Sequence, residues 1–382
     1  MRTPGRMQTS GVRRVAVIAH AAESLVRFRG PLIREIAERR HRVLAIAPDL
    51  GPGDADDLER LGVETANVVL GPADAGLLAD RRTAKSVTAQ LAAFAPHIVL
   101  SSGPRSAAFG AIAGRKVGAR TILIVNGLAA LGLPPASSAP WLLSRAARWR
   151  AKAALAAADV VVFHNTADRA YLVAAGLLGP QQKSFVQPGS GVDLQRWAEA
   201  PLPPLQGGLV FLMAGRIARS TGADTFAVAA ALVKSQAPHV TFLLAGPQGS
   251  GPEGLAPDDL DNGAFEYLGA LDDIGPALTR SHVFVYPAHG EGMPGAVLEA
   301  MSMGRPIITT DTPGCRDTVD ERVNGCLVPP GNPEALAEAM QSFLRRPELI
   351  AAMARASRMK AERRFDQRPV VAALMDVLGL GG

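Results

Sequence analysis

Short apolar runs alternate with amphipathic helical patterns along most of the chain, and this alternation restricts the possible folds more than any other feature. The runs are rich in Val, Ile and Leu, as buried strands are. They lie at 14–19, 41–47, 63–70, 98–101, 121–125, 160–163 and 184–186, and then at 209–213, 240–244, 265–267, 283–286 and 306–309. Helical patterns separate most of them, which predicts an α/β protein with mostly parallel, doubly wound sheets.

A Pro- and Gly-rich stretch at 198–208 divides this series in two. The chain of 382 residues is also long for a single hydrophobic core. We therefore predict a disordered basic tail at 1–13 and two Rossmann-like domains, at 14–200 and 207–365. The last segment, 366–382, is predicted to be a helix that packs back on the N-terminal domain. Ligands of such sheets lie outside the carboxyl ends of the strands, so the site is expected in the cleft between the domains.

Composition narrows the function. No apolar run is long enough to span a bilayer, and the basic residues 1–14 lack the apolar segment of a signal peptide. Two cysteines, Cys315 and Cys326, give no disulfide framework and fit a reducing cytoplasm. The net charge of +5 favours an anionic partner such as a membrane surface or a phosphorylated substrate. Three Trp, three Tyr and no aromatic–basic repeat argue against a nucleic-acid partner.

One predicted helix, at 139–159, carries a basic side and two tryptophans. The basic residues and tryptophans are Trp141, Arg145, Arg148, Trp149, Arg150 and Lys152. A basic amphipathic helix with Trp can lie in a membrane interface, which would attach the protein to the inner face of the cell membrane. The alternative is an Ala-rich domain helix whose basic side is solvated.

The stretch from His282 to Met303 combines a strand, a Pro/Gly turn and a helix that begins near Pro294. Its first helical amides would face whatever lies above the strand, with the positive end of the helix dipole behind them. Glu291 and Glu299 would stand roughly 12 Å apart if the intervening segment were helical. One carboxylate could hold each end of a nucleotide-sugar, although both could equally be solvated acids.

A second constellation opens the C-terminal domain. The run at 209–213 is followed by Gly215, which lets the chain turn away from the strand end. Arg216 comes next, and a guanidinium can fork two N–H bonds onto a diphosphate.

These motifs resemble the retaining glycosyltransferases of family four, which have the GT-B fold. The similarity rests on AGRIARSTG at 214–222 and on the acidic pair. Six further segments resemble the branch that builds polysaccharides on polyprenyl-diphosphate lipids: SLVRFRGPLIREIAERRHRVLAIAP, VNGL, FHNTADR, PGSGVDL, GRPIITTDTPGCRDTV and NGCLVPP. The resemblance covers about residues 14–365, with the motifs in order.

The resemblance implies a role for each site residue. Glu299 would bind the donor ribose, Glu291 the transferred sugar, and Arg216 the diphosphate of the leaving group. The other implied donor-binding residues are Gly215, Arg219, Thr221, Gly246, Tyr267, Leu268, Gly269, Gly292, Met293 and Pro294. The implied acceptor-binding residues are His20, Ser24, Arg27, Phe28, Arg29, Gly30, Asn126 and Gly127. The implied substrates are a UDP-sugar and a polyprenyl-diphosphate-linked saccharide, with no metal or other cofactor and no protein nucleophile.

The chain departs from the family at three positions. Thr221 stands where the family usually has Lys, and Gly290 and Gly295 stand where the branch often has Arg. A site poorer in cations leaves two alternatives to an ordinary hexosyltransferase. One is a non-catalytic or donor-altered subunit, and the other is an epimerase or phosphorylase acting on a nucleotide-sugar. His289 next to Glu291 is either a catalytic group or a structural hydrogen-bonding residue.

Overall fold

A computed structural model describes residues 11–70, 76–133, 145–249, 251, 253–290 and 292–381. The described chain forms two α/β domains, each built on a parallel sheet. The fold predicted from the alternating pattern is therefore confirmed.

The N-terminal sheet has the strand order β3-β2-β1-β4-β5-β6-β7, and all its pairs are parallel. Its strands are β1 (Arg14–Ile18), β2 (Arg42–Ala47), β3 (Glu64–Asn67), β4 (Ile98–Ser102), β5 (Arg120–Val125), β6 (Val160–Phe163) and β7 (Ser184–Val186). The helices are α1 (Gly30–Glu38), α2 (Pro52–Glu59), α3 (Gly76–Phe94), α4 (Ser106–Lys116), α5 (Arg145–Ala157) and α6 (Thr166–Ala174).

The C-terminal sheet has the order β10-β9-β8-β11-β12-β13, again with parallel pairs. Its strands are β8 (Val210–Ala214), β9 (Thr241–Ala245), β10 (Glu266–Tyr267), β11 (Val283–Tyr286), β12 (Ile307–Thr310) and β13 (Gly325–Val328). The helices of this domain are α7 (Ala223–Gln236), α8 (Pro257–Leu260), α9 (Gly275–Thr279), α10 (Gly295–Ser302), α11 (Pro313–Arg316), α12 (Pro333–Arg345) and α13 (Leu349–Arg364). The last helix of the chain is α14 (Gln367–Leu378).

Both sheets reverse their winding direction at one point, which fixes where a ligand can enter. In the N-terminal sheet the reversal lies between β1 and β4, and in the C-terminal sheet it lies between β8 and β11. Loops leaving such neighbouring strands diverge to opposite faces and open a crevice at the carboxyl edge. The loop after β8 begins with Gly215 and Arg216, and the loop after β11 leads to Pro294. Both predicted donor motifs therefore flank the crevice of the C-terminal sheet.

Two local elements differ from the sequence pattern. The Gly- and Asp-rich composition of residues 51–57 predicts a turn, but the segment forms α2, because Pro52 suits the first helical turn and Leu58 is buried against the domain. The apolar pattern of Leu32, Ile33 and Ile36 predicts a helix that begins near Phe28, whereas Ser24–Arg29 form one turn of π-helix and α1 starts at Gly30. The residues of α1 that pack on the sheet, Leu32, Ile33 and Ile36, are almost fully buried.

The chain crosses between the domains near residue 191. The Val192 amide donates to the Phe365 carbonyl at 2.7 Å, and the Gln367 amide donates to the Val192 carbonyl at 3.0 Å. Val192 and Trp197 pack in the core under the C-terminal sheet, so the chain enters the second domain before residue 200. The Pro- and Gly-rich stretch marks a segment on the surface of that domain rather than the crossing.

Helix α14 returns to the first domain after the second crossing. Leu374, Met375 and Leu378 join the core beneath α1. Arg39 and Arg120 donate hydrogen bonds to the carbonyls of Leu380 and Leu378, at 2.9 and 3.1 Å. These contacts hold the chain terminus against the N-terminal domain.

The basic helix is described from Arg145 onward, as α5, and Trp141 lies outside the described residues. Alanines fill its buried side, whereas Arg145, Trp149, Arg150 and Lys152 are exposed, Trp149 to 72%. Arg148 donates to the Ala175 carbonyl at 2.7 Å, so its side chain binds α5 to a neighbouring part of the N-terminal domain. No described helix is both long enough and apolar enough to cross a bilayer.

Candidate active site

The loops after β8, β9 and β10 meet backbone to backbone. The Gly215 amide donates to the Ala245 carbonyl at 3.0 Å, and the Gly246 amide donates to the Gly269 carbonyl at 2.8 Å. A Cβ on Gly246 would lie 1.8 Å from the Gly215 carbonyl oxygen, and Gly246 has φ +138°, so only glycine fits there. The Tyr267 hydroxyl donates to the Gly246 carbonyl at 2.7 Å. These predicted donor-binding residues therefore lie together beside Arg216.

Thr221 does not take over the function of the missing lysine. Its side chain is 1% exposed, and its hydroxyl is directed at the carbonyls of Arg216 and Ala218, at 2.7 and 2.8 Å. It therefore fixes the shape of the loop that carries Arg216. Arg219, on the same loop, directs its guanidinium to Asp224 in the first turn of α7, at 3.4 Å.

The loop after β11 is tied to the loop after β8 through His289. The His289 amide donates to the Ser220 carbonyl at 2.9 Å, and its Nε2 lies 3.3 Å from the Thr225 hydroxyl. These contacts give His289 a structural role in joining the two loops. Helix α10 begins at Gly295 with Pro294 as its N-cap, one residue later than predicted. Glu291, the predicted sugar-binding carboxylate, lies outside the described residues.

Glu299 is buried in α10 and meets a residue of the other domain. Only 6% of its surface is exposed, and both carboxylate oxygens lie 2.7 Å from Arg27 Nη2. A second nitrogen of Arg27 lies 3.5 Å from Glu23. A residue predicted to face the acceptor is thus bound to the carboxylate predicted to hold the donor ribose.

Three further contacts join the turn into α10 to the N-terminal domain and close the cleft at this point. A Cβ on Gly292 would lie 1.8 Å from the Asn126 carbonyl oxygen, and one on Gly295 would lie 2.9 Å from the Phe28 ring. The side chain of Met293 lies against Gly189. Because Gly189, Gly292 and Gly295 lack side chains, the two domains can approach closely. The Phe28 ring also explains why Gly295 carries no arginine here.

His20 lies just after the carboxyl end of β1, close enough to Arg216 of the C-terminal domain for the two side chains to interact electrostatically. It packs on the backbone of Gly103, which follows β4, and its Nδ1 lies 3.4 Å from the Ser24 hydroxyl. Desolvation at the cleft floor lowers the pKa of His20, and the positive charges of Arg216 and Arg29 lower it further. Arg216 of the C-terminal domain and Arg29 of the N-terminal domain therefore both lower the pKa of the same imidazole.

Arg29 is a buried cation held by neutral partners. Its Nε lies 3.3 Å from the Ser102 hydroxyl, and its Nη1 lies 3.4 Å from the Ser190 hydroxyl. Burial lowers its pKa to about 10. Burial, with Arg29 adding to it, also lowers the pKa of His164 to about 3, and His164 Nε2 has no partner among the described residues. His164 and Ser190 belong to the segments FHNTADR and PGSGVDL, but neither position has a function predicted from the sequence.

Each of the two domains matches a model of a known protein family. A family model described as "Glycosyl transferase 4-like domain" matches residues 25–189, and one described as "Glycosyl transferases group 1" matches residues 208–346. Between them they cover every strand of the two sheets except β1. Both domains are therefore glycosyltransferase domains, a 4-like domain followed by a group 1 domain.

One curated relative is similar over most of both chains. It is the N,N'-diacetylbacillosaminyl-diphospho-undecaprenol alpha-1,3-N-acetylgalactosaminyltransferase of Campylobacter jejuni, with 24% identity over 344 residues, 87% of this chain and 89% of the relative. A D-inositol 3-phosphate glycosyltransferase of Saccharomonospora viridis is 30% identical, but over 58% of this chain and 56% of its own.

Among solved structures, Anabaena Alr3699/HepE in complex with UDP and glucose superposes with a TM-score of 0.74. It has 17% identity and covers 96% of this chain and 99% of its own. At that identity the likeness shows the fold alone. It identifies the paired Rossmann-like domains as GT-B, in agreement with the fold expected from the resemblance.

Proposed function

We propose that this glycosyltransferase moves a hexose or N-acetylhexosamine from a UDP-sugar to a saccharide carried on a polyprenyl diphosphate, with retention of configuration. The proposal assigns the reaction to surface polysaccharide biosynthesis at the cytoplasmic face of the cell membrane. It rests chiefly on one observation, the convergence of the Arg216 loop, the turn into α10 and Glu299 at the crevice of the C-terminal sheet.

Each site residue has a chemical task in the proposal. Glu299 accepts hydrogen bonds from the ribose hydroxyls, and Glu291 accepts them from the hydroxyls of the transferred sugar. Arg216 neutralises the diphosphate as the glycosidic bond breaks, because charge that develops on a leaving group is stabilised best by a preorganised cation. The backbone around Gly246 and Gly269 lines the base. No metal and no protein nucleophile take part, as the family resemblance implies.

The acceptor enters from the N-terminal side in this proposal. The turn from Ser24 to Gly30, with His20 below it and the Asn126–Gly127 turn beside it, borders the cleft opposite Arg216. The Campylobacter jejuni relative is named for an acceptor on diphospho-undecaprenol, which supports a lipid-linked saccharide here. Helix α5 presents exposed cations and Trp149, which favours attachment to an anionic membrane surface.

A panel of UDP-sugars, titrated by calorimetry and then incubated with a membrane lipid extract, tests the proposal. We expect one donor to bind and to release UDP only when the extract is present. Conversion of the UDP-sugar into its epimer, or UDP release that requires inorganic phosphate rather than acceptor, would instead support an epimerase- or phosphorylase-type reaction. The absence of binding at millimolar UDP-sugar would favour a non-catalytic subunit of a polysaccharide-assembly complex.

Two substitutions test the assignment of the carboxylates. Glu299→Ala should weaken UDP binding roughly 10- to 100-fold, because hydrogen bonds to a charged group contribute about 1.5–3 kcal/mol. Glu291→Ala should leave UDP binding nearly unchanged and reduce turnover. Wild-type UDP affinity and wild-type turnover in both variants would refute these roles.

A further inference from the structure

We propose that Arg27, on the N-terminal domain, is a donor-binding residue that exchanges Glu299 for the phosphates of a nucleoside diphosphate. In the ligand-free cleft its guanidinium is paired with Glu299. When the ribose hydroxyls take Glu299, the released guanidinium binds the adjoining diphosphate. This inference rests on the proposed function, since it deepens the description of the same site.

The first observation is the position of the guanidinium. Glu299 is almost fully buried, and Arg27 Nη2 covers both of its carboxylate oxygens at 2.7 Å. A ribose that binds this carboxylate must therefore share or displace the arginine. The Arg27 side chain itself is 38% exposed, so it has room to turn within the cleft once it is displaced.

The second observation concerns the other cations of the site. The Thr221 hydroxyl is directed at two carbonyls, and the Arg219 guanidinium is directed at Asp224. Gly290 and Gly295 carry no side chain. A diphosphate bound by Arg216 carries more negative charge than one guanidinium neutralises. Arg27 lies next to this region with a carboxylate partner that the donor itself can replace.

The third observation is that the segment carrying Arg27 is fixed on α10. The Phe28 ring occupies the space that a side chain on Gly295 would take, because a Cβ there would lie 2.9 Å from a ring carbon. The first turn of α10, where helix amides favour anions, is therefore directly beneath this segment. The Phe28 ring therefore excludes an arginine side chain at residue 295, and the residue before it, Arg27, brings an arginine to the same place from the N-terminal domain.

The exchange makes a specific prediction about ligand preference. Uridine offers hydroxyls to Glu299 but nothing to the displaced guanidinium, whereas UDP offers both. Arg27 should therefore favour UDP over uridine. Removal of Arg27 should weaken UDP binding roughly tenfold or more, since a charge-assisted bond to phosphate is lost. Uridine binding should stay the same or tighten, because Glu299 no longer has a competing partner.

Calorimetric titration of the full chain with UDP and with uridine measures this preference. Arg27→Ala is the test, and Arg60→Ala is the matched control, since it removes another N-terminal guanidinium that is paired with a carboxylate, Asp57, at 2.6 Å. If Arg27→Ala unfolds, Arg27→Lys and Arg27→Gln replace it. Lysine should then keep most of the UDP-over-uridine preference, and glutamine should lose it.

The outcomes separate this inference from the proposed function. A loss of UDP affinity confined to the Arg27 variants, with uridine unaffected or tighter, supports the exchange. Equal changes for both ligands, or no change, would overturn it while wild-type UDP binding leaves the proposed function standing. If the wild-type protein binds no UDP, the proposed function fails, and this inference fails with it.

Discussion

Substitution of Gly292 by alanine would place a methyl group between the two domains. Its Cβ would lie 1.8 Å from the Asn126 carbonyl oxygen and 2.7 Å from the carbonyl carbon. Carbon–oxygen contacts are comfortable at about 3.3 Å, so the two loops must separate by roughly 1.5 Å. The three atoms nearest to this methyl all belong to the N-terminal domain, at Asn126 and Gly127. The substitution therefore opposes closure of the cleft rather than folding of either domain.

The expected consequence is a loss of turnover with little loss of stability. Misplacement of reacting groups by about 1 Å can reduce the rate about 100-fold. We therefore expect kcat/KM to fall about 100-fold with the donor and acceptor found in the panel. The midpoint of thermal unfolding should change by only about a degree or two, because each core is untouched. Hydrogen exchange around residue 126 should become faster, since the covering loop has moved away.

Gly207→Ala is the matched control. No atom lies within 4 Å of its added Cβ, and its φ lies outside the left-handed range. It therefore repeats the effect of the glycine-to-alanine change on the unfolded chain without the clash between domains. Wild-type turnover in Gly292→Ala, with hydrogen exchange unchanged at residue 126, would show that the closed contact is not part of the active form.

Two further predictions concern acid stability and membrane attachment. The folded state keeps buried His164 neutral, with a pKa of about 3, while the unfolded chain takes up its proton near pH 6.5, so acidification favours unfolding. Between about pH 7.5 and pH 5 the wild type should lose about 2 kcal/mol of unfolding free energy more than His164→Gln, measured by urea denaturation, with exposed His239→Gln as control; equal losses would refute this. Arg150→Glu should weaken binding to anionic vesicles by about 1–2 kcal/mol, whereas Arg355→Glu on α13 should not; equal binding by the wild type and both variants would refute attachment through α5.

Much of the fold follows from local patterns. Buried parallel strands are short apolar runs that stand out against Ala-rich helices, so most strands were predicted within a residue or two. The stretch from His282 to Met303 shows why. Val283–Tyr286 has a continuous apolar pattern, and Pro294 marks the helix start, so the strand, turn and helix are all encoded nearby.

The predicted donor loops were also placed together by topology alone. Ligands lie at the carboxyl ends of parallel strands, and Gly215 and Gly292 both follow such ends. Which side chains then meet across the cleft is not a local property. Arg27 and Glu299 are 272 residues apart, and neither flanking pattern indicates that they pair.

The missing cations illustrate the same limit. From the sequence, Thr221 and Gly295 are absences that weaken a diphosphate site. In the structure Thr221 fixes the loop that carries Arg216, and Gly295 makes room for Phe28 from the other domain. Both positions are explained by contacts with backbone or with a distant ring, which no motif spacing could reveal.

The most direct test of the account is mass spectrometry of the lipid-linked acceptor after incubation with the purified protein and the donor that binds. We predict that the acceptor gains one hexose or one N-acetylhexosamine in a stoichiometric ratio to the UDP released. Arg216→Ala should abolish the gain while the protein remains folded. Release of UDP with no change in acceptor mass, or an equal gain with Arg216→Ala, would contradict the account.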